Sequence, residues 1–306
     1  MADRGDRDWL AERFEEHRSH LRAVAYRMLG STTEADDAVQ DAWLRFSRAD
    51  TGGVDNLRGW LTTVVARLCL DMLRSRTSRR EDLAGVHLPD PIVARAGTSP
   101  SPENEVVLAD SVGLALLVVL ETLSPAERLA FVLHDTFGLP FDEIAPIVDR
   151  SPTATRKLAS RARQRVRGVG PAGALEHHAG VSPGRQRELV EAFLRAARSG
   201  DFEALVRILD PEVVVRADAG ALPLPARRGP ITRGAEAVAA QALSFRALAG
   251  GARLASINGA PGYVVFSGAR PFAILGFSFG ADRITEIDIL LDPDRLARLD
   301  LAAVVE

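Results

Sequence analysis

Cysteine occurs once in 306 residues, at Cys69, so no internal disulfide can form and nothing calls for an oxidising compartment. Long apolar runs are missing as well. No stretch of about 18 apolar residues is available to span a membrane, and Met1 to Asp8 is charged, with no apolar core behind it for a secretory signal. Together these absences predict a cytoplasmic chain without membrane contact. Lys157 is the single lysine, every other basic residue being arginine, a skew that carries no mechanism. Neither a Walker-type loop nor Gly-x-Gly-x-x-Gly occurs, and His177-His178 has no spaced third ligand. No cofactor and no metal are expected. What is present is apolar enough to fold: 46% hydrophobic residues and a net charge of −3 suit two or three packed domains.

The near-neutral total conceals a sharp segregation of charge. Between Arg150 and Arg167 lie Arg156, Lys157, Arg161, Arg163 and Arg165, with no acid among them. Such a segment faces either solvent or a polyanion. Its setting favours the polyanion. Ser124-Pro125-x-Glu127 carries the cap, proline and acid of a helix start, and Ser151-Pro152 repeats the cap and proline. The pattern predicts helices over Pro125 to Thr136, Phe141 to Val148 and Pro152 to Arg167, the layout of a helix-turn-helix. In the last helix Ala154, Leu158, Ala162 and Val166 form the expected buried stripe. Thr153, Arg156, Lys157, Ser160, Arg163 and Arg167 lie across from it, where they could read base edges, and Arg161 and Arg165 flank it, where phosphate is the natural contact.

The chain divides by composition. Residues 1–80 read as helices, with Ser31 and Glu34 as a capping box before the stripe Ala35, Ala38, Val39, Ala42, Trp43 and Phe46. A second long helix from about Leu57 to Arg76 carries Trp60, Leu61, Val64, Val65, Leu68 and Met72 on one side, Trp60 being expected in the core. Residues 81–103, with Pro89, Pro91, Pro100 and Pro102, read as an extended linker. Residues 104–167 hold the helix-turn-helix, and the glycine-rich 168–180 marks a second linker. Residues 181–306 read as helix, helix, strand, helix and a four-stranded meander, an α+β domain.

The strings YRMLGSTTEADDAVQDAWLRF from Tyr26 and NLRGWLTTVVARLCLDMLRSR from Asn56, followed by the basic helix-turn-helix, resemble the bacterial sigma factors of the extracytoplasmic-function type over residues 10–167. The resemblance implies a region 2 bundle before the linker and region 4 after it, with core RNA polymerase and promoter DNA as partners. It implies docking of Asp36, Asp37, Gln40, Asp41 and Leu44 on the β′ clamp helices, and a contact with the β flap. From charge alone the acidic face could equally be solvated. It further implies that Asn56, Arg58, Thr62, Arg67, Arg74 and Arg76 capture the unstacked −10 strand, which calls for a basic groove beside stacking surfaces. The Pro152 to Arg167 helix would read the −35 element.

The extension beyond region 4 resembles the SnoaL-like, cone-shaped α+β domains of one subgroup of these sigma factors. RADAG at Arg216 to Gly220, INGAPGYVVF at Ile257 to Phe266 and DPDRL at Asp292 to Leu296 carry that likeness, together with the linker string Leu88-Pro89-Asp90-Pro91. The glycine-rich string after the first strand is only partly kept: Asp218 and Gly220 fit, Ala219, Ala221 and Leu222 do not. In the subgroup the extension regulates the sigma domains in cis, which implies regulatory contacts at Leu88, Pro89, Asp90, Pro91, Asp218, Gly220, Asp292, Asp294 and Arg295, and leaves room for an unknown small ligand. Two other readings stay open at this level: a helix-turn-helix regulator acting without polymerase, and a cyclase-like enzyme using Asp218, Asp282, Glu286 or Asp288 as acid/base. No catalytic residue is expected, because these acids fall at turns and strand ends where solvated carboxylates are common.

Overall fold

The computed structural model describes residues 4–49, 54–80, 86–97, 114–168, 181–222 and 229–305. Most of the glycine-rich joint after 168, with His177-His178, lies outside them. The chain forms two compact units, one of Met1–Leu83, Pro102–Asp110 and Leu120–Arg165, the other of Ala84–Ser101, Ser111–Val119 and Val166–Glu306.

The first unit is helical. It contains α1 (Arg4–Leu29), α2 (Thr32–Phe46) and α3 (Leu57–Arg80). Ser31 starts α2 by accepting the Glu34 amide proton, and Phe14, Leu21, Val39, Phe46, Leu61 and Val65 fill the space between the three helices. Of α4 (Leu114–Glu121) the last residues belong here. It is followed by α5 (Pro125–Phe131), which runs into a π-helical turn over Val132–Thr136, then α6 (Phe141–Val148) and α7 (Pro152–Gly168). At the start of α5 a full capping box forms: Ser124 Oγ accepts from the Glu127 amide while Glu127 Oε2 accepts from the Ser124 amide. At Ser31 only the serine half forms, because Glu34 pairs with Arg76. Asp149, left-handed at φ 55°, ends α6 and turns the chain into α7. Buried Arg128 ties the two helical groups together. Its Nη1 donates to Glu121 Oε1 at 2.9 Å and its Nε to the Arg27 carbonyl at 3.3 Å, while Arg27 lies over the Phe137 ring.

The second unit is built on a seven-stranded sheet in the order β1-β4-β5-β6-β7-β2-β3. Its strands are β1 (Val93–Arg95), β2 (Leu209–Asp218), β3 (Ile231–Arg233), β4 (Ala252–Ile257), β5 (Ala260–Ser267), β6 (Arg270–Gly280) and β7 (Arg283–Leu290). All pairings are antiparallel except β2 with β7. Helices α8 (Pro183–Ser199), α9 (Phe202–Ile208) and α10 (Ala235–Ser244) cover one face through Leu189, Val190, Phe193, Leu205 and Val238, packed on Val215, Tyr263, Phe277 and Ile287. The other face buries Ile257, Val264, Phe266 and Ile274 beneath α11 (Pro293–Leu296) and α12 (Ala302–Val305).

Part of the segment read as an extended linker joins this sheet as a short strand, which its composition does not predict. Val93, Ala94 and Arg95 pair with Ile257, Ser256 and Ala255, and Leu88 packs with Leu114 and Val118 of α4. Pro89 and Pro91 keep the chain before this strand from turning helical, and Leu88 and Ile92 supply the apolar side chains that dock it.

Candidate polymerase and nucleic-acid interfaces

Helix α2 buries Ala35, Ala38, Val39, Ala42 and Phe46, which turns Asp36, Asp37, Gln40, Asp41 and Leu44 outward. All five are exposed, and Leu44 is unusual among large apolar side chains here in being 42% exposed. Arg22 Nε holds Asp36 at 2.7 Å, so the acidic face is partly ordered from within.

The residues expected at the −10 strand separate into two groups. Asn56, Arg58, Arg67 and Arg74 are exposed on α3 or its entry. Asn56 also caps α3, its Oδ1 accepting the Gly59 amide proton at 2.9 Å. Thr62 is 1% exposed and Arg76 is mostly buried. Thr62 Oγ1 donates to the Arg58 carbonyl one turn back and meets His20 Nε2 at 3.1 Å. Arg76 donates to the Leu29 carbonyl and pairs with Glu34. Both are committed to protein contacts in this arrangement. Burial, then Arg58, His17 and Arg27, push His20 down to about 4, so it stays neutral at pH 7 beside the Arg58 guanidinium. Trp60 is half-buried against Phe46, the core position expected of it.

Helix α7 is rotated from its expected phase. Thr155, Ala159, Ala162 and Val166 are the buried positions, whereas Ala154 and Leu158 lie at the rim. Thr155 takes a core place because its hydroxyl donates to the Ser151 carbonyl at 3.1 Å. Thr153, Lys157 and Ser160 then occupy the centre of the exposed face, and Gln164, not singled out from the sequence, stands directly opposite the buried stripe. Arg156 is exposed with its guanidinium 5.2 Å from the Phe141 ring centre. The flanking arginines have internal partners: Arg161 and Arg165 pair with Glu127, and Arg163 with Asp135. Burial would raise the Glu127 carboxyl, but hydrogen bonds from Ser124 and the neighbouring Arg165 hold it below the ordinary value.

In the second unit the residues expected in regulatory contacts meet in one latch. Asp218, at the end of β2, accepts the Leu88 amide proton at 2.8 Å and Arg295 Nη1 at 2.6 Å through the same carboxylate oxygen, and the Gly220 amide through the other. Arg295 also donates to Asp90 through Nε and to the Leu88 carbonyl. Asp292 caps α11 through the Asp294 and Arg295 amides and so aims the guanidinium. The one glycine retained from the family string is Gly220, with φ +58°, where an added Cβ would stand 2.2 Å from Asp292 Oδ2. Pro89 and Pro91 are buried beside the latch, and Asp294 is exposed. A second clamp, missed in the sequence, is Asn258, whose side-chain Oδ1 accepts the Ile92 amide proton while its backbone N–H donates to the Ile92 carbonyl.

The acids weighed for catalysis are placed elsewhere. Asp282 is exposed in a turn, and Asp218 is engaged by the latch. Glu286 and Asp288 pair with Arg216. Full burial, with Glu286 adding to it and Arg216 opposing it, pushes Asp288 up to about 6. Burial opposes the charge on Arg216, yet Asp288 and Glu286 outweigh it and keep the guanidinium firmly protonated. Cys69 is buried, which pushes its thiol up to about 12 and leaves it inert. Among the described residues no group of three or more His, Cys, Asp or Glu could hold a metal, and no helix is long and apolar enough to cross a membrane.

Residues 13–79 match the family model of sigma-70 region 2, and residues 113–166 that of sigma-70 region 4. The chain is 36% identical over 293 residues to the probable ECF RNA polymerase sigma factor SigI of Mycobacterium tuberculosis, covering 94% of this chain and 95% of the relative. It is 39% identical over 282 residues to the ECF RNA polymerase sigma factor SigJ of the same species, covering 90% and 86%. The crystal structure of that SigJ superposes with a TM-score of 0.75 at 32% identity, covering 95% of this chain and 99% of the other. Two ordered sigma domains and a shared α+β extension over nearly the whole length make this chain a member of the ECF RNA polymerase sigma factors, a promoter-directing partner of core polymerase and not an enzyme.

Proposed function

We propose that the outward face of α2, with Asp36, Asp37, Gln40, Asp41 and Leu44, docks on the β′ clamp helices, that the 114–168 helices engage the β flap, and that α7 reads the −35 element. Arg58, Arg67 and Arg74 attend the −10 strand, Asn56 shapes the entry to α3, and the protein works in the cytoplasm alongside polymerase. The observation that carries this reading is an exposed apolar residue, Leu44, ringed by acids on one helix, in the same unit as an exposed basic helix behind a turn.

Regulation in cis belongs to the same reading. Elements named −35 and −10 lie about 25 base pairs apart, or ~85 Å of duplex at ~3.4 Å per base pair. The two helical groups touch through Arg128, Arg27 and Phe137, so they must part to reach both. The chain that joins them includes 86–97, which the latch and β1 hold against the α+β sheet. The α+β domain thereby restrains initiation.

Run-off transcription with core polymerase, on a promoter selected from genomic DNA, tests the reading. Initiation should depend on the added protein, and Leu44→Asp should abolish both core binding and initiation while α7 still binds DNA. Retention of core binding by that variant would remove α2 from the interface. Tight, specific operator binding without polymerase would favour a repressor instead.

A further inference from the structure

Between the sheet and helices α8 and α10 the second unit holds a partly open cavity of about 130 Å³. Its walls come from Val215, Ala217, Ile287 and Ile289 on the strands, Phe193 and Ala197 on α8, and Val238, Gln241 and Ala242 on α10. Among the described residues no charged side chain lines it. Tyr263 reaches it with its ring, but its hydroxyl donates to the Val190 carbonyl at 3.3 Å and is thereby engaged.

Gln241 is the exception in this wall. Val238, Gln241, Ala242 and Phe245 fall at i, i+3, i+4 and i+7, the inward stripe of α10 and the turn after it, where packing alone would place an apolar residue. Its Oε1 is buried and has no hydrogen-bond donor among the described residues. Burying such an acceptor unpaired is costly, and a solvent molecule is a poor remedy, because a buried water needs two to four polar partners and this wall offers one.

We propose that the cavity is a binding site for a small, neutral, largely apolar molecule carrying one hydrogen-bond donor, of phenol or indole size, whose donor meets Gln241 Oε1. Size follows from volume: an apolar cavity of about 150 Å³ accepts benzene. Neutrality follows from the described walls, which offer no counter-charge to a carboxylate or an amine. A donor is required because the orphaned group is an acceptor. The site lies on the face of β2 and β7 opposite Arg216 and Asp288, since Val215, Ala217, Ile287 and Ile289 alternate with them. None of its lining residues belongs to the faces of α2, α3 and α7 assigned to polymerase and DNA.

Titration of the full-length protein with phenol, and separately with toluene, followed by the methyl NMR signals of Val215, Val238 and Ile287, tests the site. Both probes should give saturable shifts, with phenol binding about tenfold tighter than its donor-free isostere, the worth of one hydrogen bond. Gln241→Met keeps the bulk and removes the acceptor, so it should erase the difference and retain toluene binding. Ala197→Phe fills the space and should abolish both titrations without unfolding the protein. The proposal is overturned by absence of saturable shifts for both probes, by a phenol preference that survives Gln241→Met, or by binding that survives Ala197→Phe in a folded protein.

Discussion

Arg156 and Arg165 stand on one helix, and their loss should have different consequences. Arg156 is exposed near the start of α7, where a recognition helix meets base edges, so Arg156→Ala should cost about 1–3 kcal/mol of discrimination against a scrambled −35 element. Arg165 sits at the flank and shares Glu127 with Arg161, so Arg165→Ala should weaken matched and scrambled promoters alike. Competition binding of the polymerase holoenzyme to the two promoters separates these outcomes, and equal losses for Arg156→Ala would remove it from base reading. Asp288 carries a different kind of prediction. With its folded pKa near 6 and an unfolded value of 3.8, the native state holds the proton more tightly between those limits, so this group withdraws stability as pH rises from about 4 to about 6. Measured against Asp288→Asn, which cannot titrate, the wild type should lose on the order of 2–3 kcal/mol of relative stability across that window. A gap that stays constant, or widens in the opposite sense, would mean that Arg216 fully compensates the buried carboxylate.

Among the elements, those defined by local chemistry were legible. Ser182-Pro183 and Gly200 bound α8, and the expected four-stranded meander is present as β4 to β7. The misses have physical reasons. Strand β1 is three residues long in a proline-rich run, too short for any period, and only the exposed edge of β4, some 160 residues away, makes it a strand. The phase of α7 was missed because a self-satisfied threonine, Thr155, took the place that hydrophobicity gave to Ala154 and Leu158. The acidic face of α2 followed from its stripe, whereas nothing local announces His20 and Glu34 as partners of Thr62 and Arg76, the residues that the resemblance gives to the −10 strand. Asn258 was invisible for the same reason, since its partner Ile92 lies in a distant segment. Asn258→Gly preserves the left-handed turn at φ 49° and removes only the side-chain clamp. It should leave the Ile92 N–H buried without its acceptor, at a cost of about 1–3 kcal/mol, and hydrogen exchange at Ile92 and along β4 should accelerate while the α8 amides keep their protection. Exchange unchanged at Ile92 would show that Val93–Arg95 pairing alone holds the segment.

On the scale of the whole molecule, the proposed restraint in cis rests on the latch. Cutting the chain at Arg167 is a poor way to test it, because Leu88, Pro89, Pro91 and Ile92 would lose the sheet that buries them and expose a new apolar patch. Arg295→Ala acts locally. It removes the donor shared by Asp90, Asp218 and the Leu88 carbonyl and leaves the buried Asp218 carboxylate without its cation. Breaking a buried pair from one side costs about 3–5 kcal/mol, and the partial exposure of Arg295 lowers that to about 2–4. The docked tether should then open, with faster exchange at the Leu88 amide, and run-off transcription at sub-saturating polymerase should rise several-fold because the helical groups part more readily to span both promoter elements. Asp218→Asn added to Arg295→Ala should bring little more, since both break the same contact. Transcription that is unchanged or falls, in a variant whose Leu88 amide has demonstrably opened, would refute restraint by the α+β domain and recast the docked tether as a support for the active form.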